Sequence, residues 1–454
     1  MDSTAYWRQM SFGFSVVNCL PFILLLFFIA VLPFVPAISQ WWEKFTNKFY
    51  LTAALAGAGI WLYVGPTGDI AKIGETFLEY AAFLALLGAL FVVSGGIHIS
   101  GAFAGLPYIN TLFLGLGGFL ASILGTTGAS MILIRPLLRA NRLRKYKAHI
   151  VIFFIFIVSN CGGVLSPLGD PPLYLGFLRG VHFFWTLRLI PEWALTLLIL
   201  LFIFHIIDDL IFDKEEMNMR TSLIQEIGLS QKAVHVEGWW NVFYLSGILL
   251  TVLISGYWLE PALRGSWGEE KAQIFSKLFQ IVAMTTLAFL SYKTTNRKIH
   301  FDNQFTFGPI VEVGILFFGI FGSMIPTLAL LAAKGKDLAL NHPWEYFWMS
   351  GALSSFLDNA PTYLSFATLA AGQNGISPMH LNELAAQSPA LLAAVSCGSV
   401  FMGANSYIGN GPNFMVKAIA EYSGVEMPSF GAYMLWSGAI LIPTFFLVTF
   451  VFFG

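Results

Sequence analysis

Long apolar runs separated by short polar stretches dominate the chain. Runs of bilayer-spanning length, about 17–25 residues each, fall near 20–38, 49–64, 76–98, 149–180, 190–211, 239–258, 273–293, 306–334, 388–420 and 427–453. The pattern predicts ten crossings. Two of the runs are interrupted where a membrane helix should continue: Ser159-Asn-Cys-Gly-Gly-Val-Leu-Ser-Pro-Leu-Gly-Asp-Pro-Pro172, and Ser396 to Asn413. Backbone at that depth cannot leave N–H and C=O groups facing lipid, so it must line an enclosed, wet cavity. Helices broken at mid-membrane are how secondary transporters build their sites.

Two further apolar stretches, about 108–135 and 343–371, have polar centres: Leu124-Gly-Thr-Thr-Gly-Ala-Ser130 and Leu357-Asp-Asn-Ala-Pro-Thr362. Each is read as a re-entrant hairpin of two half-helices meeting mid-membrane. The loops at 39–48, 135–148, 212–238, 293–304 and 421–428 then share one side. They hold 14 of the 24 Lys and Arg residues, six of them in Arg135 to Lys147. The positive-inside rule makes that side cytoplasmic and places both termini outside.

The two halves look alike. Residues 1–211 and 239–454 each supply five spans, a hairpin and a broken helix, joined by a charged cytoplasmic linker at 212–238. Five crossings per half invert the second relative to the first. Thr126-Thr127-Gly128 matches Asn359-Ala360-Pro361. Cys161-Gly162 with Gly169-Asp170-Pro171-Pro172 matches Cys397-Gly398 with Gly409-Asn410-Gly411-Pro412. The predicted fold is an all-α polytopic membrane protein of two inverted repeats, about ten transmembrane helices plus two hairpins. Its site is expected at the repeat interface.

Composition agrees. The chain is 57% hydrophobic and 11% charged, with a mean hydropathy of +0.72, against about 25% charged residues in soluble domains. The net charge of −1, with no basic domain, Walker loop or dinucleotide fingerprint, gives no reason to expect nucleic acid, ATP or an organic cofactor. Cys19, Cys161 and Cys397 form no CxxC pair, which argues against a disulfide framework or zinc site. Arg8 is the lone early basic residue, and no small-residue cleavage site follows, so 20–38 is read as a first span rather than a signal.

The chemistry concentrates in the interruptions. Asp170 sits at the first break, where an ionised carboxylate costs on the order of 2.5–3.5 kcal/mol. It is a cation ligand or protonatable group, a cap for the following half-helix, or both. Asp358 and Asn359, with Pro361 and Thr362 behind them, raise the same alternatives in the second hairpin. Asn405, Asn410 and Asn413, with Ser406, offer oxygens in the second break. Thr126, Thr127, Ser130, Ser159, Asn160 and Ser166 offer them in the first half. Oxygen ligands suit sodium, a hard cation. Glu312 begins an apolar run and is either interfacial or, with Asp170 and Asp358, a proton relay member. His98 reads as a helix-end group, Glu79 as interfacial, and Arg135 and Arg139 as anchors of the first hairpin.

These residues resemble the ion transporter superfamily. Gly125-Thr-Thr-Gly-Ala-Ser-Met-Ile-Leu-Ile-Arg-Pro136 and Leu357-Asp-Asn-Ala-Pro-Thr-Tyr-Leu364 look like its two hairpin tips, and Ser159 to Pro172 and Ser396 to Asn413 like its broken helices. The nearest likeness is to the bacterial sodium/proton antiporter and arsenite-permease branch, which overlaps with citrate transporters. The resemblance implies a homodimer in the bacterial cytoplasmic membrane, with hairpins and broken helices moving elevator-fashion against a scaffold. It also implies one cation site per half, each formed by a tip and its broken helix. The sodium/dicarboxylate carriers place Ser-Asn-Thr at both tips; here the tips read Gly-Thr-Thr and Asp-Asn-Ala.

Two functions compete. In sodium/proton antiport, a carboxylate that holds either Na⁺ or a proton makes the two compete, and competition gives exchange. In sodium-coupled uptake of citrate or a dicarboxylate, tip N–H groups would meet the anion. Asp358 would repel that anion, and no Lys or Arg lies within either tip or break. The balance favours the antiporter. A channel or membrane enzyme has less support, because no His/Glu/Asp cluster is present.

Overall fold

The computed structural model describes residues 16–42, 44–217, 232–334 and 340–454. Arg8, and Arg220 and Glu226 of the linker, lie outside the described residues. Among those described, nine helices are long and apolar enough to cross a membrane. The number is ten if the bent pair Leu381–Gln387 and Pro389–Asn405 counts as one. The chain is thus an all-α polytopic membrane protein.

The expected first span at 20–38 is not one rod. Its helix Leu20–Val31 has 12 residues, about 18 Å at 1.5 Å per residue. A 3₁₀ turn, Leu32–Phe34, and extended Val35 separate it from the short helix Pro36–Trp42. Pro33 and Pro36 explain the break. Proline has no N–H to donate and pushes its predecessor toward extended backbone.

The linker also departs from expectation. The helix Ile190–Met217 runs past the anticipated span end. Beyond the undescribed stretch, Lys232–Glu237 is a strand, β2, paired antiparallel with β1, His98–Ala102. The sheet is tied to the hairpin region because Arg139 donates to the carbonyls of Ile99 and Gly101.

Both polar-centred stretches fold as helix pairs whose outer ends meet. The first joins Pro107–Leu124 to Thr126–Ala140 through Gly125 at φ 79°, a left-handed conformation that favours glycine. Asn110, near its entry, and Asn141, just past its exit, exchange amide hydrogen bonds of 3.0 and 2.9 Å. The outer ends of the two helices therefore lie side by side. In the second, Pro343–Ser354 and Asn359–Gln373 close where the Tyr346 hydroxyl donates to Gln373.

The buried apolar side chains form two large cores. One is built almost wholly from the hairpins, the broken helices, Ile190–Met217 and Phe430–Val448. The other centres on Leu20–Val31, Ala71–Gly95, Asn241–Ile254 and Gly308–Lys334, and receives Leu168, Tyr174, Ala360 and Leu364 from the tips and first break. In the second body small residues let helices close up, the usual device where lipid supplies no hydrophobic drive. A Cβ on Gly59 would lie 2.6 Å from the Ser323 Cα, and one on Gly322 would lie 2.6 Å from the Ala56 Cβ.

Candidate functional site

The two breaks share one local construction. In the first, a 3₁₀ turn Cys161–Leu165 leads to extended Ser166, and Asp170 precedes the helix Pro171–Leu178 at φ −140°, ψ 141°. In the second, Met402–Asn405 leads to extended Ser406, and Asn410 precedes Gly411–Tyr422 at φ −149°, ψ 141°. The Ser166 hydroxyl donates to the Ser122 carbonyl of the first hairpin and accepts from the N–H groups of Leu168 and Gly169. The Ser406 hydroxyl likewise donates to the Ser355 carbonyl of the second hairpin and accepts from Ile408 and Gly409. Each loop crosses itself at a glycine pair. A Cβ on Gly169 would sit 2.0 Å from the Gly163 oxygen, and one on Gly409 would sit 2.4 Å from the Gly403 oxygen. The equivalent glycines are therefore Gly163 and Gly403. The matched Cys-Gly pairs of the sequence do not occupy equivalent places.

Asp170 lies at the meeting point and is fully buried. One carboxylate oxygen accepts from the Thr126 hydroxyl of the first tip at 3.0 Å. The other accepts from the Asn359 amide of the second tip at 2.7 Å. The tip is anchored to the break as well, since Thr126 N–H donates to the Gly169 carbonyl at 2.8 Å. Asn359 is oriented by Ser354, whose hydroxyl donates to its Oδ1 at 2.7 Å.

The breaks also meet each other. Asn160 donates to Asn413 Oδ1 at 2.7 Å. Asn410 donates to the Ser159 carbonyl at 3.1 Å and to Asn160 Oδ1 at 3.2 Å, and Asn413 donates to the Gly403 and Ser406 carbonyls. The Ser130 and Ser159 hydroxyls bond at 2.8 Å. A Cβ at Gly403 would lie 2.2 Å from Asn359 Oδ1 and 3.0 Å from Asn160 Oδ1; glycine there lets two amide oxygens converge. The result is one buried, oxygen-rich centre contributed by both halves. Its contacts run within the first half, from Thr126 to Asp170, and between halves, from Asn359 to Asp170 and from Asn160 to Asn413.

Other candidates stand apart. Asp358 is half-buried and caps its helix, Oδ1 accepting from Ala360 N–H at 3.1 Å, while the Thr362 hydroxyl turns back to the Asp358 carbonyl. Thr127 lines a cavity of about 60 Å³ with Gly125, Leu168 and Pro171. Asn405 donates to the Ser355 hydroxyl and so braces the second hairpin. Glu312 pairs with Lys48, and His98 Nδ1 lies 2.7 Å from Asn303 Oδ1.

Two buried charge networks escaped the sequence reading. Glu79, expected at the interface, is 2% exposed and pairs with Arg179 at 3.3 Å and Lys277 at 3.4 Å. A carboxylate buried between two cations is a paired charge, and burial without such partners is what costs. Arg144, one of the six-residue basic cluster, is also buried. It pairs with Asp208 at 2.8 Å and Glu215 at 2.5 Å, and His149 and Asn110 bond the same Asp208. Asp208 carries the only signal available in the sequence, a carboxylate late in an apolar run.

A buried carboxylate held by both halves thus lies where the interrupted helices of this polytopic membrane protein meet. Residues 11–453 match the sequence profile of the family described as "Putative citrate transport", and the chain belongs to that family. None of the curated proteins compared with it matches the chain.

Proposed function

We propose that this chain is a cation-coupled secondary transporter in which Asp170 binds Na⁺ and a proton in alternation, giving sodium/proton antiport. The observation that carries the reading is the setting of Asp170. It is buried and accepts hydrogen bonds from the Thr126 hydroxyl and the Asn359 amide. The ion pairs of the described residues all lie elsewhere. An isolated buried carboxylate needs a proton or a cation beside it, and exchange of one for the other is the transport step. Asn160, Asn410 and Asn413 supply further oxygens, with Thr127 and Thr362 at the tips and Asp358 capping the second tip helix.

The two apolar cores support an elevator. The core of hairpins and broken helices would move as a unit against the second core in the bacterial cytoplasmic membrane, with the two halves as inverted repeats. The Arg179–Glu79–Lys277 cluster and the 2.7 Å bond from Tyr174 to Gln280 cross that boundary and would break and re-form.

The family match favours a second reading, sodium-coupled uptake of citrate or a dicarboxylate at the same centre. Everted vesicles carrying the protein separate the two. Antiport predicts that Na⁺ or Li⁺ dissipates an imposed pH gradient. No response to any alkali cation, with labelled citrate accumulating instead, overturns antiport in favour of uptake.

A further inference from the structure

On the side where the basic loops gather, a second cavity of about 400 Å³ opens between the two bodies. Arg135, Arg139, Arg142 and Lys147 line it, against a single acid, Asp302. The charge is poorly compensated. Arg139 bonds only strand carbonyls. Arg135 reaches Gln304 Oε1 at 3.3 Å, while its buried Nη1 has no hydrogen-bond partner. Among the described residues none of the four forms an ion pair. Surface arginines that merely mark the cytoplasmic face would be solvated singly; here three arginines and a lysine converge on one concave space.

We infer that this cavity is an anion site for a phosphate group, separate from the Asp170 centre. Guanidinium forks match phosphate oxygens in pairs, and each such charge-assisted bond is stronger than a neutral one. The volume suits a headgroup-sized ligand. The rim indicates how the rest of the ligand would lie. Tyr422, which lines the cavity, is 81% exposed, and nearby Phe301 is 82% exposed. Aromatic side chains at that level mark the membrane interface, and basic pockets between membrane helices on the cytoplasmic side take anionic headgroups. The walls come from both bodies: the first hairpin and the helix Gly411–Tyr422 on one side, Asp302 and Gln304 on the other. A bound phosphate would bridge them and bias their relative position.

The test uses the purified full chain in a neutral detergent, with thermal unfolding as readout and no transport required. Short-chain phosphatidylglycerol should raise the midpoint saturably by roughly 2–4 °C, less so as salt rises. Phosphatidylcholine should have no such effect. Inorganic phosphate reproducing the shift identifies the free ion as ligand; phosphatidylglycerol acting alone identifies the lipid. Arg142→Gln and Lys147→Gln, at exposed and half-buried positions, should each reduce the shift, and Arg135→Gln should abolish it. An equal response to phosphatidylcholine, a response to citrate alone, or an undiminished shift in all three variants overturns the assignment.

Discussion

The first and second breaks are the same backbone device carrying different chemistry. Each has a serine clamping its loop to a hairpin carbonyl, a crossing glycine pair, and an extended residue entering the next helix. At that last position one break has Asp170 and the other Asn410. The comparison separates what the fold needs from what the chemistry needs. An uncharged side chain at Asn410 satisfies the same backbone, so the charge at Asp170 is not required to form a break. It is a buried cost, and the proposed function assigns it to ion binding.

The strongest way to break the comparison is at the shared glycines. Gly169→Ala and Gly409→Ala each force a Cβ to within 2.0 and 2.4 Å of a facing carbonyl oxygen, so neither loop can close as it stands. Both should lower the yield of folded, monodisperse protein severely, judged by size-exclusion profile. If one glycine tolerates alanine, the two breaks are not equivalent devices. A smaller effect is expected from Asn410→Asp. Its amide donates to the Ser159 carbonyl and Asn160 Oδ1, and a carboxylate would meet acceptors there. The loss should be about 1–3 kcal/mol in the absence of a cation, read as a lower melting temperature. Added sodium should recover part of it if a carboxylate in this setting recruits an ion. The smallest effect belongs to Asp358→Asn. Asparagine caps a helix as well as aspartate, so the melting temperature should not move and transport should persist. Complete loss of transport would make Asp358 a second ion ligand.

Much of this arrangement was legible before the coordinates. Gly, Pro, Asn and Asp inside apolar runs located both breaks and both tips, because lipid permits such residues only where protein encloses them. What the sequence hid falls into distinct physical classes. The run at 20–38 is interrupted near its end because an apolar count does not weigh Pro33 and Pro36. Strand β1 went unseen where the 76–98 span was expected to end, since its partner β2 lies in the linker, far along the chain. Glu79 was misplaced because Arg179 and Lys277, which neutralise it, are 100 and 198 residues distant. Arg144 was counted as a loop charge, although Asp208 and Glu215 draw it inside. Asn405 stood in the right polar cluster, but its side chain faces the hairpin. Contacts between halves add to the tip-and-break contacts within each half that the resemblance implies. Asp170 bonding Asn359 is the plainest case, and only three-dimensional placement reveals it.

The central claim is that Asp170 holds the coupling ion. Equilibrium binding of radiolabelled sodium to the purified protein, across a range of pH, tests it most directly. The account predicts saturable binding that protons displace, and its loss in Asp170→Asn with the melting temperature retained. Sodium binding that is unchanged in Asp170→Asn would contradict it.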